Sequence, residues 1–207
     1  MKVRSAICSV LLFLSLGCAH RVEMIDLPPG TDDFLPSEVG IHVPAVLEKL
    51  DLRVNGSDIE PPEEFSRLIV QKLQRTYVFQ EVAALADSGM MKHREKAVNL
   101  RMTINGVLDT NEITNLVRFA ANCVTLFLLS PALPYKDEFD VTIILKAVRS
   151  DRAERFYRSR IRGSTCYRFF GGEQARREAQ DQVLTRGLND LMRQIMKDVD
   201  FFAGKTP

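Results

Sequence analysis

Tryptophan is absent from this chain, and histidine occurs only three times in 207 residues. His20, His42 and His93 stand apart, and none has a second histidine or a cysteine at ligand spacing, so no zinc-type metal site is written in the sequence. Gly-x-Ser-x-Gly, His-Glu-x-x-His and a phosphate-binding glycine loop are missing as well, which leaves no nucleophile–base set and no nucleotide cradle. An excess of either charge is also lacking. Lysine and arginine number 28 against 27 acids, a net charge of +1, so attraction of the whole protein to nucleic acid is not indicated. No apolar run reaches the about 20 residues that a spanning helix needs. The hydrophobic fraction of 45% is too high for a disordered chain. These exclusions point to a non-enzymatic globular protein without metal or cofactor.

The N-terminus has the composition of an address. Lys2 and Arg4 form a short positive region, Ile7 to Leu16 is an apolar stretch interrupted only by serines and Cys8, and Gly17-Cys18 follows. A cationic start, an apolar run of that length and a small residue at the break describe a secretory signal. With the cysteine directly after the small residue, the pattern resembles the lipobox of bacterial lipoproteins, although Ser15 stands where leucine is usual. The resemblance implies that Cys18 receives diacylglycerol, that residues 1–17 are removed, and that the new amine takes a fatty acid. Each buried methylene contributes about 0.8 kcal/mol, so two or three acyl chains anchor a protein without a spanning helix. Ala19 follows, where an aspartate would imply retention in the inner membrane. The expected location is therefore the periplasmic face of the outer membrane.

With residues 1–17 gone, Lys2 and Arg4 are lost and the balance becomes 26 basic residues against 27 acidic, or −1. Cys123 and Cys166 are the two remaining unmodified thiols. They could pair in an oxidising compartment; the alternative at Cys123, within an apolar run, is a free buried thiol.

Residues 18–38, rich in proline, glycine and acids, read as the lipidated N-terminus and a flexible tether, and residues 39–207 as one globular periplasmic domain. Ile41 to Leu47, interrupted by Pro44, reads as an edge strand or a packed loop. Leu50, Leu52 and Val54 alternate with polar residues and stop at Asn55-Gly56, a strand followed by a turn. Pro61-Pro62-Glu63-Glu64 opens a helix running to about Thr76, with Phe65, Leu68, Ile69 and Leu73 on one face. Val78 to Ala83 reads as a short strand and residues 86–96 as a polar loop. The alternation from Val98 to Leu108 predicts a strand with a bulge at Asn105-Gly106. Phe139 to Ala147 and Arg155 to Phe169 predict a hairpin, and Glu173 to Phe202 a long helix with Leu184, Leu188, Leu191, Ile195 and Val199 as its core stripe. This order gives an α+β fold. It is a two-layer sandwich with a mixed or antiparallel sheet of about four to five strands and two helices packed on one face.

The run Phe65, Leu68, Leu73, Tyr77, Phe79, Val82, followed by the strand at Val98, a proline-ended apolar excursion, a hairpin and a closing helix, is similar in order to one group of periplasmic lipoproteins. These have the anticodon-binding-like fold of the TolB N-terminal domain, as in the PelC and CsgG families. That resemblance implies an accessory role in an envelope complex and carries no functional residue.

Two features stand out as candidate sites. Phe119 to Tyr135 is uncharged and flanked by Arg118 and Lys136. Its two prolines and Asn122 make it a poor membrane span. It is either core or an apolar segment that docks on a bilayer or partner through Leu126, Phe127, Leu128, Leu129 and Leu133. The second feature is arginine: seven between residues 149 and 168, against Asp151 and Glu154 alone. Arg158, Arg160 and Arg162 alternate, so they share one side of a strand, opposite Tyr157, Ser159 and Ile161. They should face outward, pair in part with Asp140 on the neighbouring strand, and leave charge for anionic partners.

The expected function is that of a lipid-anchored, non-enzymatic accessory or assembly subunit of a cell-envelope complex for transport, secretion or polysaccharide export. It would have membrane and protein partners and room for homo-oligomerisation. The alternative is a periplasmic carrier or sensor of lipids or other amphiphiles, with residues 119–134 lining its pocket.

Overall fold

The computed structural model describes residues 20–26, 43–75, 79–91, 94–109, 112–125, 133–167 and 172–202. Cys18 and Leu126 to Leu129 lie outside them. The elements are β1 (His20–Asp26), β2 (Ala45–Val54), β3 (Ser57–Ile59), α1 (Glu63–Arg75), β4 (Val82–Ala84), β5 (Val98–Asp109), α2 (Glu112–Val124), β6 (Tyr135–Val148), β7 (Glu154–Tyr167), α3 (Gly172–Lys197) and α4 (Val199–Phe202). The strands form one mixed sheet in the order β1-β7-β6-β5-β2-β3, with β4 also on β2.

The sheet has seven strands rather than the four or five expected. The excess is β1 and β3. β3 is a three-residue strand, too short to show an alternation, and β1 lies in the segment whose composition reads as a tether, whereas β4 shares Val82 and Ala83 with the short strand expected at Val78 to Ala83, of which Val78 lies outside the described residues. The proline-rich remainder of that segment, residues 27–38, lies outside the described residues.

Two compact units are distinguished. One comprises the described parts of 1–25, 109–139 and 163–181, the other those of 26–108, 140–162 and 182–207.

The second unit holds the apolar core. Leu100 and Met102 of β5, Ile143 and Leu145 of β6, Ile69 and Leu73 of α1, and Leu188, Leu191 and Ile195 of α3 all fall in a single buried cluster. Two helices thus cover the same sheet face, as the amphipathic patterns require. Leu68 is an exception. It is partly exposed, on the outer edge of the α1 stripe. α1 starts at Glu63 because the amides of Phe65 and Ser66 donate to the Pro62 carbonyl, and Glu63 then pairs with Arg67 one turn on.

Ala45 to Leu47 does not lie at an edge. These residues pair in parallel with Val82 to Ala84 on one side and with Val98 to Leu100 on the other. Pro44 is tolerated because it sits just before the strand, where its carbonyl accepts from the Val98 amide. The expected bulge is also relocated. Asn105 and Gly106 pair regularly with Arg53 and Val54, and the irregularity falls between Leu47 and Lys49 of β2. One extra residue there changes the phase of the strand, so that Leu47 and then Leu50 and Leu52 all reach the helical face.

Asn55 and Gly56 both have positive φ, 50° and 81°, the backbone of a two-residue hairpin turn joining β2 to β3. Residues expected as a polar loop include two 3-10 turns, Leu85–Met90 and Arg94–Lys96. Near them Met91 and Ala97 pack with Val46, on the opposite side of β2 from Leu47. The long C-terminal helix is interrupted at Asp198, which separates α3 from α4.

Candidate functional site

The arginine row lies in the second unit, on β7, and the geometry follows from the pleat. Tyr157, Ser159 and Ile161 are buried, and Arg158, Arg160 and Arg162 between them are exposed. Asp140 on β6 takes two of the three. Arg160 donates from Nε to Oδ1 at 2.9 Å and from Nη2 to Oδ2 at 2.5 Å, and Arg162 Nε donates to Oδ2 at 2.9 Å. The Arg160 hydrogen bonds, opposed by partial burial and helped by Arg162, hold the Asp140 carboxyl below the usual carboxylate range. The Arg158 guanidinium has no ion pair among the described residues. Its backbone is bound at both ends by Gln194, whose amide oxygen accepts from the Arg158 N–H and whose amide nitrogen donates to its carbonyl. The face is therefore partly neutralised, with Arg158 as its open charge.

In the first unit, α2 occupies the beginning of the uncharged run. This helix is missed when the run is read from Phe119 onward, because its first half precedes that residue. The spacing of Ile113, Leu116, Val117, Ala120 and Val124 carries the signal. The helix is inverted with respect to an ordinary core helix. Ile113, Leu116, Val117 and Val124 are exposed, while Asn122 is fully buried. Neither polar atom of the Asn122 side chain finds a hydrogen-bond partner among the described residues.

What holds α2 in this orientation is polar. Asn115 donates to the Lys136 carbonyl at 3.3 Å and to Asp137 Oδ1 at 3.4 Å, and accepts from the Lys136 amide at 3.3 Å. Asp137, fully buried, also accepts from the Tyr167 hydroxyl and from Arg176 Nε, both at 3.0 Å. Burial, with Asp137 adding to it, pushes the Tyr167 hydroxyl upward. The carboxylate accepts from three different elements and so ties α2, β7 and α3 together within the unit.

The remaining acids do not converge. Glu138 is exposed and pairs with Lys136, and Asp140 pairs with the arginines. Among the described residues no group of three or more His, Cys, Asp or Glu side chains is placed to hold a metal, and no helix is long and apolar enough to cross a membrane. An open depression of about 620 Å³ beside α1, lined by Arg67, Gln71, Gln74 and Asp87 among others, brings no nucleophile and base together. Cys123 and Cys166 are free thiols. Cys123 is exposed on α2 rather than buried, and Cys166 is half-buried. Leu133 is half-buried, and Leu126, Phe127, Leu128 and Leu129 lie outside the described residues.

No family model matches the chain, and no curated protein matches it. Among solved structures it is similar to a neuraminyllactose-binding hemagglutinin homolog from Helicobacter pylori. The identity is 14% and the TM-score 0.48, over 89% of this chain and 100% of that one. It is also similar to the rare lipoprotein B from Shewanella oneidensis, at 14% identity and a TM-score of 0.37, over 74% and 97%. A PelC dodecamer from Paraburkholderia phytofirmans matches at 9% identity and a TM-score of 0.30, over 84% and 95%. Identities this low transfer no residue role.

Proposed function

We infer that the protein is a lipid-anchored, non-enzymatic accessory or assembly subunit of a bacterial cell-envelope complex, held at the periplasmic face of the outer membrane and acting by binding. The observation that carries this reading is Gly17-Cys18 at the end of a cationic and apolar leader, which supplies the anchor. Apolar residues 126–129 and Leu133 would contribute to docking, and the arginine row would meet anionic lipid or an acidic partner, with Arg158 as the charge that Asp140 leaves open. Assembly with further copies of the chain fits the same role. The carrier reading, with residues 119–134 lining a pocket, is less well supported, because Phe119 and Val124 turn outward.

The anchor is tested by Cys18→Ser in the expressing bacterium. The variant should retain its leader and take up no radiolabelled fatty acid. Label entering the variant as it enters the wild type would overturn the assignment.

A further inference from the structure

α2 presents an aliphatic face that no element among the described residues covers. Ile113, Leu116, Val117 and Val124 are 81%, 66%, 64% and 85% exposed. At 100° per residue these positions, with Ala120, fall on one side of the helix, and Asn115 and Asn122 fall on the other. Scattered exposed aliphatics are ordinary, but a continuous helical stripe of them marks a surface that something else covers.

The occupant follows from where the chain leads. β1 belongs to the same compact unit as α2 and begins at His20, two residues after Cys18. Two extended residues span at most about 7 Å. The expected 18–38 tether would have let the domain stand off from the lipid, whereas a strand starting at His20 holds this unit against it. A surface joined to the bilayer by so short a link meets it at an effective concentration in the millimolar range or above, ahead of any partner that must diffuse to it. The chemistry of the face agrees. It is aliphatic, without a hydrogen-bonding group aimed outward from its centre, which suits a hydrocarbon boundary that asks for no shape complementarity.

We propose that α2 lies in the plane of the membrane interface, with Ile113, Leu116, Val117 and Val124 immersed in the outer part of the acyl region. The proposal rests on lipidation of Cys18. It assigns α2 as a second contact that orients the anchored protein, with Asn115 and Asp137 fixing the helix with its apolar side outward. Immersion of about 5–10 Å is the depth typical of interfacial helices.

The absence of tryptophan makes a clean test possible. Full-length lipidated protein carrying Leu116→Trp is reconstituted into phosphatidylethanolamine–phosphatidylglycerol vesicles, with Val107→Trp, an exposed position in the other unit, as the control. The expected result is blue-shifted emission from position 116, quenched most by lipids brominated near the headgroup, and water-like, unquenched emission from position 107. Should Leu116→Trp not fold, Val117→Trp reports from the adjacent position. Water-like emission at α2 in a protein that floats with the vesicles overturns the docking and leaves the anchor standing. A blue shift without quenching by brominated lipid means that protein covers the face, and also overturns it. Mass spectrometry of the Cys18 peptide checks the anchor separately, and an unacylated cysteine removes the premise and the proposal together.

Discussion

Tyr157 shows how one side chain ties local chemistry to stability. Its ring is buried against Phe202, and its hydroxyl donates to Asp198 Oδ2 at 3.0 Å, at the break between α3 and α4. Burial, and then the hydrogen bond to Asp198, disfavour the phenolate and raise the hydroxyl well above its ordinary value. The sign follows directly. The protonated form is the one the fold accepts, so this contribution is fully present below the unfolded-state value of about 10 and is lost as pH rises beyond it. The melting temperature of the wild type should therefore fall as pH rises above about 10, and Tyr157→Phe should flatten that fall while costing about 1 kcal/mol at neutral pH for the lost hydrogen bond. A parallel decline in both proteins, followed by circular dichroism, would assign the alkaline transition elsewhere. Asp140 is the opposite case: its depressed value contributes stability above the unfolded carboxylate range that disappears on acidification.

Elements obey their patterns where they bury apolar surface and depart from them where they do not. α3 places Leu184, Leu188, Leu191 and Ile195 in the core because a 3.6-residue period leaves no other efficient arrangement. α2 has an equally good period, yet turns its apolar side out, because the hydrogen bonds of Asn115 to β6 fix the helix the other way. β1 is held through Gly163 of β7 in the same unit. A methyl group there would come within 2.5 Å of the Glu23 carbonyl oxygen and would also collide with the Phe139 ring. Backbone cannot yield as a flexible side chain can, so Gly163→Ala should loosen β1 and lower stability by about 1–3 kcal/mol. Hydrogen exchange should localise the change to residues 20–26. Unaltered protection of β1 amides in the variant would show that the strand is held by other means.

At the scale of the whole molecule, charge is balanced and its placement decides what it does. A net charge of +1 over the full sequence gives no long-range pull toward anions, so any attraction must come from a local surface. Cα atoms two residues apart on a strand stand about 6.5–7 Å from each other, and the guanidinium groups of Arg160 and Arg162 converge on the same Asp140 oxygen, which relieves their repulsion. Replacement of Arg158, Arg160 and Arg162 by glutamate should weaken association of the unlipidated protein with anionic vesicles and leave folding largely intact, since all three are exposed. Binding of the wild type should also fall as salt rises, because screening acts over about 8 Å at physiological ionic strength. Wild-type affinity independent of salt would reduce the row to a solvated sheet face.

The sequence by itself determined the α1 and α3 stripes, the β6–β7 hairpin, the outward row of arginines and even its acidic partner. Each of these rests on a local period or a spacing of a few residues, which a one-dimensional reading can follow. Only the tertiary structure decided the rest. β3 is a strand because β2 offers it an edge, since three residues carry no period of their own. The bulge expected at Asn105-Gly106 lies instead at Glu48 of β2, because its place is set by the pairing of β2 with β5. The segment that begins at His20 reads as a tether because its downstream half is rich in proline and acids, while β1 gains its hydrogen bonds from β7, far away in sequence. The apolar face of α2 could be counted along the chain. Which way it points was set by a buried Asp137 and by Asn115, groups whose partners meet only after folding, and their hydrogen bonds fix the helix with its aliphatic side out although Asn122, buried on the same side, finds no partner among the described residues.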